Sequence, residues 1–346
     1  MRTLATLISA CLLPGMLWAA DPQTATNPAV NHVALTDQVL VVLDDQFAAF
    51  RDDTARLSQV AQAFCDGTAN RQQMTQALAA AWTAWAPLDA YQFGPIETQA
   101  AALTVNFFPD KKNFVGRAVA ELLKRPAQEQ ADPETVAAAS AGAQGLPALE
   151  RLVFDDVQTC PALIGVSGNL ARIGAALHDG WFAPEGWADL VRDAGADNPV
   201  YLSHQEFTRQ IFTALDFSIL RLREHRIGRA LGTYERSFPT RAEAWRAGFT
   251  NDIMIAQLDG LIAMVDDGFS DAVPDATRAE IVQIARDVQA RIHAIGAPLS
   301  EALDDPQTRI RVEALQPMLD HLKSRLDQQI GESLGVDAGF SAGDGD

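Results

Sequence analysis

An all-α protein built from long antiparallel helices in bundles is the fold this sequence predicts. Three observations carry that expectation. Apolar residues recur at three- and four-residue spacing along nearly the whole chain. No run alternates apolar and polar residues as a half-buried strand would. Glycine- and proline-rich breakers cut the chain into blocks long enough for helices of several turns.

Taken in order, Leu57, Val60, Ala61 and Phe64 follow the i, i+3, i+4, i+7 pattern of a first long helix. The stretch "DGTAN" (66–70) separates it from a second, which carries Trp82 and Trp85 and stops at "FGPIE" (93–97). "FFPDKKN" (107–113) starts a new helix, with Pro109 and Asp110 at its entry. "RPAQEQADPE" (125–134) is a loop before the unusual segment "QGLPALER" (144–151). Leu163, Val166, Leu170, Ile173 and Leu177 step three and four alternately, a bundle seam. "FAPEGWADLVRDAGADNPVYLS" (182–203) is the longest weakly patterned stretch and the expected domain boundary. It divides an N-terminal helical bundle (21–190) from a C-terminal one (191–346). Beyond "TYERSFPTRAE" (233–243), Met254, Leu258, Leu261, Ile262 and Val265 make another stripe. After "SDAVPDATRAE" (270–280), Ile281, Ile284, Ala285 and Val288 make the next, and Leu315, Met318, Leu319, Leu322 and Leu326 the last.

The bulk properties exclude several classes. The formal net charge of −18 repels phosphate backbones, so no nucleic-acid partner is expected. The N-terminus places Arg2 before an apolar run, then Pro14, Ala19, Ala20 and Asp21. This is the layout of a secretory signal peptide over 1–20, which implies an exported, periplasmic protein. The alternative takes "ISAC" as a lipobox and makes Cys11 a lipid anchor. No later segment has the length and apolarity expected of a membrane span. Cleavage leaves Cys65 and Cys160, and two cysteines in an exported chain usually pair. The alternative is two separate buried thiols.

Standard catalytic patterns are missing. None of the six histidines belongs to HxxxH, HxxE or ExxH, which argues against a thermolysin-like zinc site and a di-iron bundle. There is no CxxCH, no Walker A loop and no GxSxG elbow. Three segments stand out instead. Trp82 and Trp85 share one helix face near Phe93, with Glu97 just past the Gly94-Pro95 turn. Core packing of these aromatics is the competing reading. In "QGLPALER", Pro147 tends to start a helix, which puts Glu150 in its first turn, where a carboxylate favours the positive end of the dipole. The terminal "GDGD", including Asp344, has the residue types that wrap a cation, against the simpler reading of an acidic tail.

Together these segments resemble the imelysin family. The resemblance rests on "WxxW" followed by "FGPIE", "GLPALERLVFDD" with a later Cys, "AEAWRAGFT", and the terminal "GVDAGFSAGDGD", collinear over about residues 35 to 346. It implies two helical bundles packed together with a site in the cleft between them. It also implies a link to iron acquisition, with envelope iron-uptake components or a small ligand as partners. Some members of the family are described as metallopeptidases. The family motif G-x-H-x-x-E falls on Gly145, Pro147 and Glu150, so the imidazole is replaced by a side chain with no lone pair. Glu150 alone is too little for a zinc site, which takes three or four ligands. Carried over from the family, Glu243, Arg246 and Thr250 of "AEAWRAGFT" face the cleft, and Arg151 or Arg246 pairs with Glu150. The expected function is therefore a non-catalytic, ligand- or partner-binding protein of iron uptake. The alternatives are an imelysin-type metallopeptidase with a non-standard iron or other divalent-metal site, and a helical interaction protein without a small ligand.

Overall fold

The computed structural model describes residues 30–155 and 159–338. The expected signal peptide (1–20), Cys11 and the terminal "GDGD" with Asp344 lie outside the described residues. Among the described residues every regular element is helical and none is a strand.

The helices that carry the argument are α1 (His32–Cys65), α2 (Arg71–Leu88), α3 (Phe114–Leu122), α4 (Leu146–Phe154), α5 (Cys160–Phe182), α6 (His204–Leu220), α7 (Thr250–Ala263), α8 (Asp275–His293) and α9 (Leu315–Arg325). Their ends follow from the sequence. The Asn31 side chain accepts from the Ala34 amide at the start of α1. Asn70 and Gln73 form a reciprocal capping box at the start of α2. Asp110 accepts from the amides of Phe114 and Val115, so the "FFPDKKN" segment delivers a cap and α3 begins at Phe114. The Phe108–Pro109 peptide bond before it is cis.

α1 packs along α5 and α2, α2 packs along α7 and α4, and α7 continues through α8 to α9. Buried apolar side chains from Leu35 to Val336 form one continuous core. Small residues set its tightest approaches. A Cβ on Gly174 would meet the Thr54 hydroxyl at 2.4 Å, and one on Gly260 would meet the Pro87 side chain at 2.4 Å. Those two glycines let α5 reach α1 and α7 reach α2. The stretch Cys160–Arg192 has the length and apolarity of a membrane span. It is also the core helix that α1 lies against, since Leu163, Val166, Leu170 and Leu177 are all buried. The 182–203 stretch contains a short helix, Trp187–Arg192, before α6 begins.

After Leu220 the helix widens. Arg221–Gly228 forms a π-helical segment, in which the Arg229 amide bonds back to the Glu224 carbonyl five residues earlier. At the ordinary ~100° per residue, Arg221 and Arg226 would point about 140° apart. The widened turn sets them on the same side, and both reach Asp89.

Cys65 and Cys160 are joined as a disulfide that closes 95 residues of chain, tying the end of α1 to the start of α5. By loop-closure entropy such a link destabilises the unfolded chain by about 4 kcal/mol. Thiol titration of protein denatured without reductant is expected to find no free thiol from this pair. Reduction, or Cys65→Ser with Cys160→Ser, should lower the urea midpoint accordingly. Two titratable thiols, or an unchanged midpoint, would contradict the bond.

Candidate functional site

A cleft of about 340 Å³ opens between α4 on one side and the 240–246 segment on the other, with the 107–113 loop as its third wall. Its floor is ionic. Arg226 is fully buried and sits between Asp89 and Glu243, each only 1% exposed at the side chain. Arg226 Nη2 donates to Asp89 Oδ2 at 2.8 Å and Nε donates to Glu243 Oε2 at 2.7 Å. Arg221 also donates to Asp89, and Arg226 donates to Gln257 as well. Gln257 passes the chain of bonds on to the Ser218 carbonyl and hydroxyl. Glu243 Oε1 accepts in addition from Trp82 Nε1 at 3.0 Å and Asn106 Nδ2 at 2.8 Å. Removing these charges from water costs several kcal/mol per ion, which only dense pairing offsets. The network therefore engages both oxygens of Glu243.

Glu150 forms the second anchor. α4 begins at Leu146, with Pro147 in the first turn, so Glu150 lies beyond that turn. The expected role at the head of its own helix is replaced by a role across the cleft. Oε1 accepts from the amides of Arg246 at 2.8 Å and Ala247 at 3.1 Å, while Arg246 Nη1 lies 3.7 Å from Oε2. A carboxylate thus satisfies two amides of the irregular "AEAWRAGFT" turn, where Ala244 has a left-handed φ of 50°. Burial pushes the Glu150 carboxyl above its usual range, and the Ala247 amide, the Arg246 guanidinium and the Arg246 amide oppose it.

The other residues singled out in the sequence fall in different places. Pro147, Arg151, Trp82, Glu243 and Arg246 line the cleft with Glu150. Arg151 pairs with Asp155 at 3.1 Å and with Asn113 at 2.5 Å rather than with Glu150. Arg246 also bonds Asp155, at 2.9 Å, and stacks over the Trp245 ring at 4.3 Å. The Thr250 hydroxyl donates to the Glu243 carbonyl where α7 starts. Gly145 does not line the cleft. A Cβ there would lie 2.1 Å from the Val105 carbonyl oxygen, so glycine is required for α4 to dock. Trp85 packs on Phe50 in the core, Phe93 packs on Tyr91 and Trp181, and Glu97 is exposed on the Pro95–Thr98 helix. Sequence reasoning missed Asp89, Arg221, Arg226, Arg229 and Arg241. The arginines follow no helical stripe, and only the widened turn aligns Arg221 with Arg226.

The donor set does not fit a catalytic metal. Pro147 supplies no ligand atom, Glu150 Oε1 already accepts from two amides, and its Oε2 faces the Arg246 guanidinium at 3.7 Å. Among the described residues no three His, Cys, Asp or Glu side chains converge as a metal-binding group.

A family model described as Imelysin matches residues 44–326. No curated protein matches the chain. A solved imelysin-like protein from Psychrobacter arcticum shares the fold at a TM-score of 0.74 and 21% identity, covering 90% of this chain and 100% of that one. A candidate iron-regulated protein A precursor from Parabacteroides distasonis is similar at a TM-score of 0.66 and 13% identity, covering 88% of this chain and 97% of that one.

Two outcomes follow from the site geometry. Arg226→Met leaves buried carboxylates short of their counter-charge and should cost about 3–5 kcal/mol in urea denaturation, against near-neutral values for surface arginines. A loss under 1 kcal/mol would mean the pair is not sealed from water. The raised carboxyl of Glu150 has a definite sign: the folded state holds that proton more tightly than the unfolded chain. Its contribution is present at low pH and lost as pH rises through the native value. Glu150→Gln cannot titrate, so its stability relative to the parent should improve from about pH 4 to about pH 8. A flat or declining difference would show that the amides and Arg246 outweigh burial.

Proposed function

The chain belongs to the imelysin family, and on that footing we propose that it is a periplasmic, non-catalytic binding protein of iron uptake. Its cleft around Glu150 is the ligand site. The observation that carries the reading is the state of the family motif. Proline stands where the motif has its imidazole, and the remaining carboxylate is spent on two backbone amides. A carboxylate so held shapes a loop rather than gripping an ion or activating water. The cleft itself has aromatic and charged walls over an ionic floor, which is the form of a small-ligand site. The secretory leader supports an exported protein, with Cys11 as the anchor if the leader is processed as a lipoprotein. The solved relative described as iron-regulated supports iron as the context.

The test is elemental analysis of protein purified without chelators, together with casein cleavage. The expected result is no stoichiometric zinc or iron and no cleavage. Stoichiometric metal and proteolysis, both lost in Glu150→Ala, would restore the metallopeptidase reading. Transcript levels unaffected by iron supply would remove iron from the account.

A further inference from the structure

The cleft is positively charged inside an acidic protein. Four arginines line it (Arg151, Arg229, Arg241 and Arg246) against three carboxylates (Asp110, Glu150 and Glu243). Every one of those carboxylates is already engaged. Asp110 caps α3, Glu150 holds the 246–247 amides, and Glu243 is inside the Arg226 network. Arg151 and Arg246 share Asp155. Arg229 and Arg241 remain. Neither makes an ion pair among the described residues.

Arg229 is half-buried at the end of the π-helical segment. Its Nε is sealed from water and bonded to nothing. Leaving such a donor unmet is unfavourable, and more so when the group is charged. Arg241 lies at the cleft mouth, held flat over the Phe238 ring at 3.7 Å. The two guanidiniums repel each other, and burial together with that repulsion makes Arg229 a weaker base than usual. Two cations lining one cleft with no counter-ion are the arrangement a planar or tetrahedral oxyanion completes. The remaining wall is apolar: Phe107, Trp82 and Trp245 line the same cleft. A volume of about 340 Å³ with aromatic walls exceeds what an inorganic ion fills.

We propose that the cleft binds a small organic acid, with Arg229 and Arg241 clamping its carboxylate or phosphate oxyanion and Trp245 and Phe107 covering its carbon skeleton. This rests on the reading of the cleft as a ligand site and names the chemical class of its occupant. It also gives the binding step a role for residues outside the family motif.

Titration calorimetry of the full mature protein tests it with four probes: citrate, glycerol 3-phosphate, inorganic phosphate and the uncharged triethyl ester of citrate. At least one organic anion should bind, and more weakly as salt is raised. Arg229→Gln with Arg241→Gln should weaken it about tenfold or more. Lys124→Gln, outside the cleft, should leave it unchanged. Arg241→Gln alone removes an exposed side chain and serves where the double variant fails to fold. Whether citrate or glycerol 3-phosphate responds identifies the oxyanion. The proposal is overturned if neither organic anion binds, if only inorganic phosphate binds, or if the arginine variants bind like the parent. Binding of the ester equal to that of citrate overturns the anion clamp while leaving the cleft a ligand site. The metal and peptidase assays judge that wider reading independently.

Discussion

Arg226 held between Asp89 and Glu243 is the interaction on which the rest of the structure depends. Asp89 follows the end of α2, Arg226 lies on the widened turn after α6, and Glu243 opens the irregular segment before α7. Three stretches far apart in sequence meet at one buried guanidinium. The pairing is not a large net source of stability, because desolvation of each ion offsets most of the attraction. Its effect is geometric. An unpaired charge there is so costly that the three stretches hold one arrangement, and the cleft floor inherits that rigidity. Trp82 and Asn106 extend the same network, so the floor and one wall are fixed together.

The cleft is then shaped by a second carboxylate used the same way. Glu150 reaches across from α4 and terminates two backbone amides of a turn that no regular helix satisfies. Without that acceptor, the left-handed Ala244 and the amides beyond it lose their compensation. Both acidic residues that a motif comparison marks for chemistry are thus consumed in building walls. What they leave unbalanced is positive charge. Arg229 and Arg241 line the cleft without an ion-pair partner among the described residues, and the local arrangement governs recognition at short range.

Much of this was legible in the residues. The stripes of Leu57 to Phe64 and of Leu163 to Leu177 run on the buried faces of α1 and α5, apart from the half-buried Val60 and Phe64. The Cys65–Cys160 bond is the pairing expected of the two cysteines outside the leader-like N-terminus. Pro147, Glu150, Trp82, Glu243 and Arg246 share one cleft although up to 164 positions separate them. Trp85 and Phe93 were equally conspicuous and face the core, because a helix has two sides and a bulky aromatic suits either. Gly145 was conspicuous for a steric reason rather than a chemical one.

The sequence by itself determined the long helices and their order, because periodicity and capping residues act over a few residues, but it ran the second helix past its end at Leu88 and took 125–134 as a loop where short helices Ala127–Ala131 and Pro133–Ala137 stand. It also determined that the motif lacks its imidazole, since proline has no lone pair to offer. Only the tertiary structure decided where each charge went. The π-helical turn that aligns Arg221 with Arg226, the capture of Glu150 by amides nearly a hundred residues away, and the two arginines left without an ion pair among the described residues arise from side chains meeting across the fold. Ion pairing acts through space at a few ångströms, and local spacing carries no record of it.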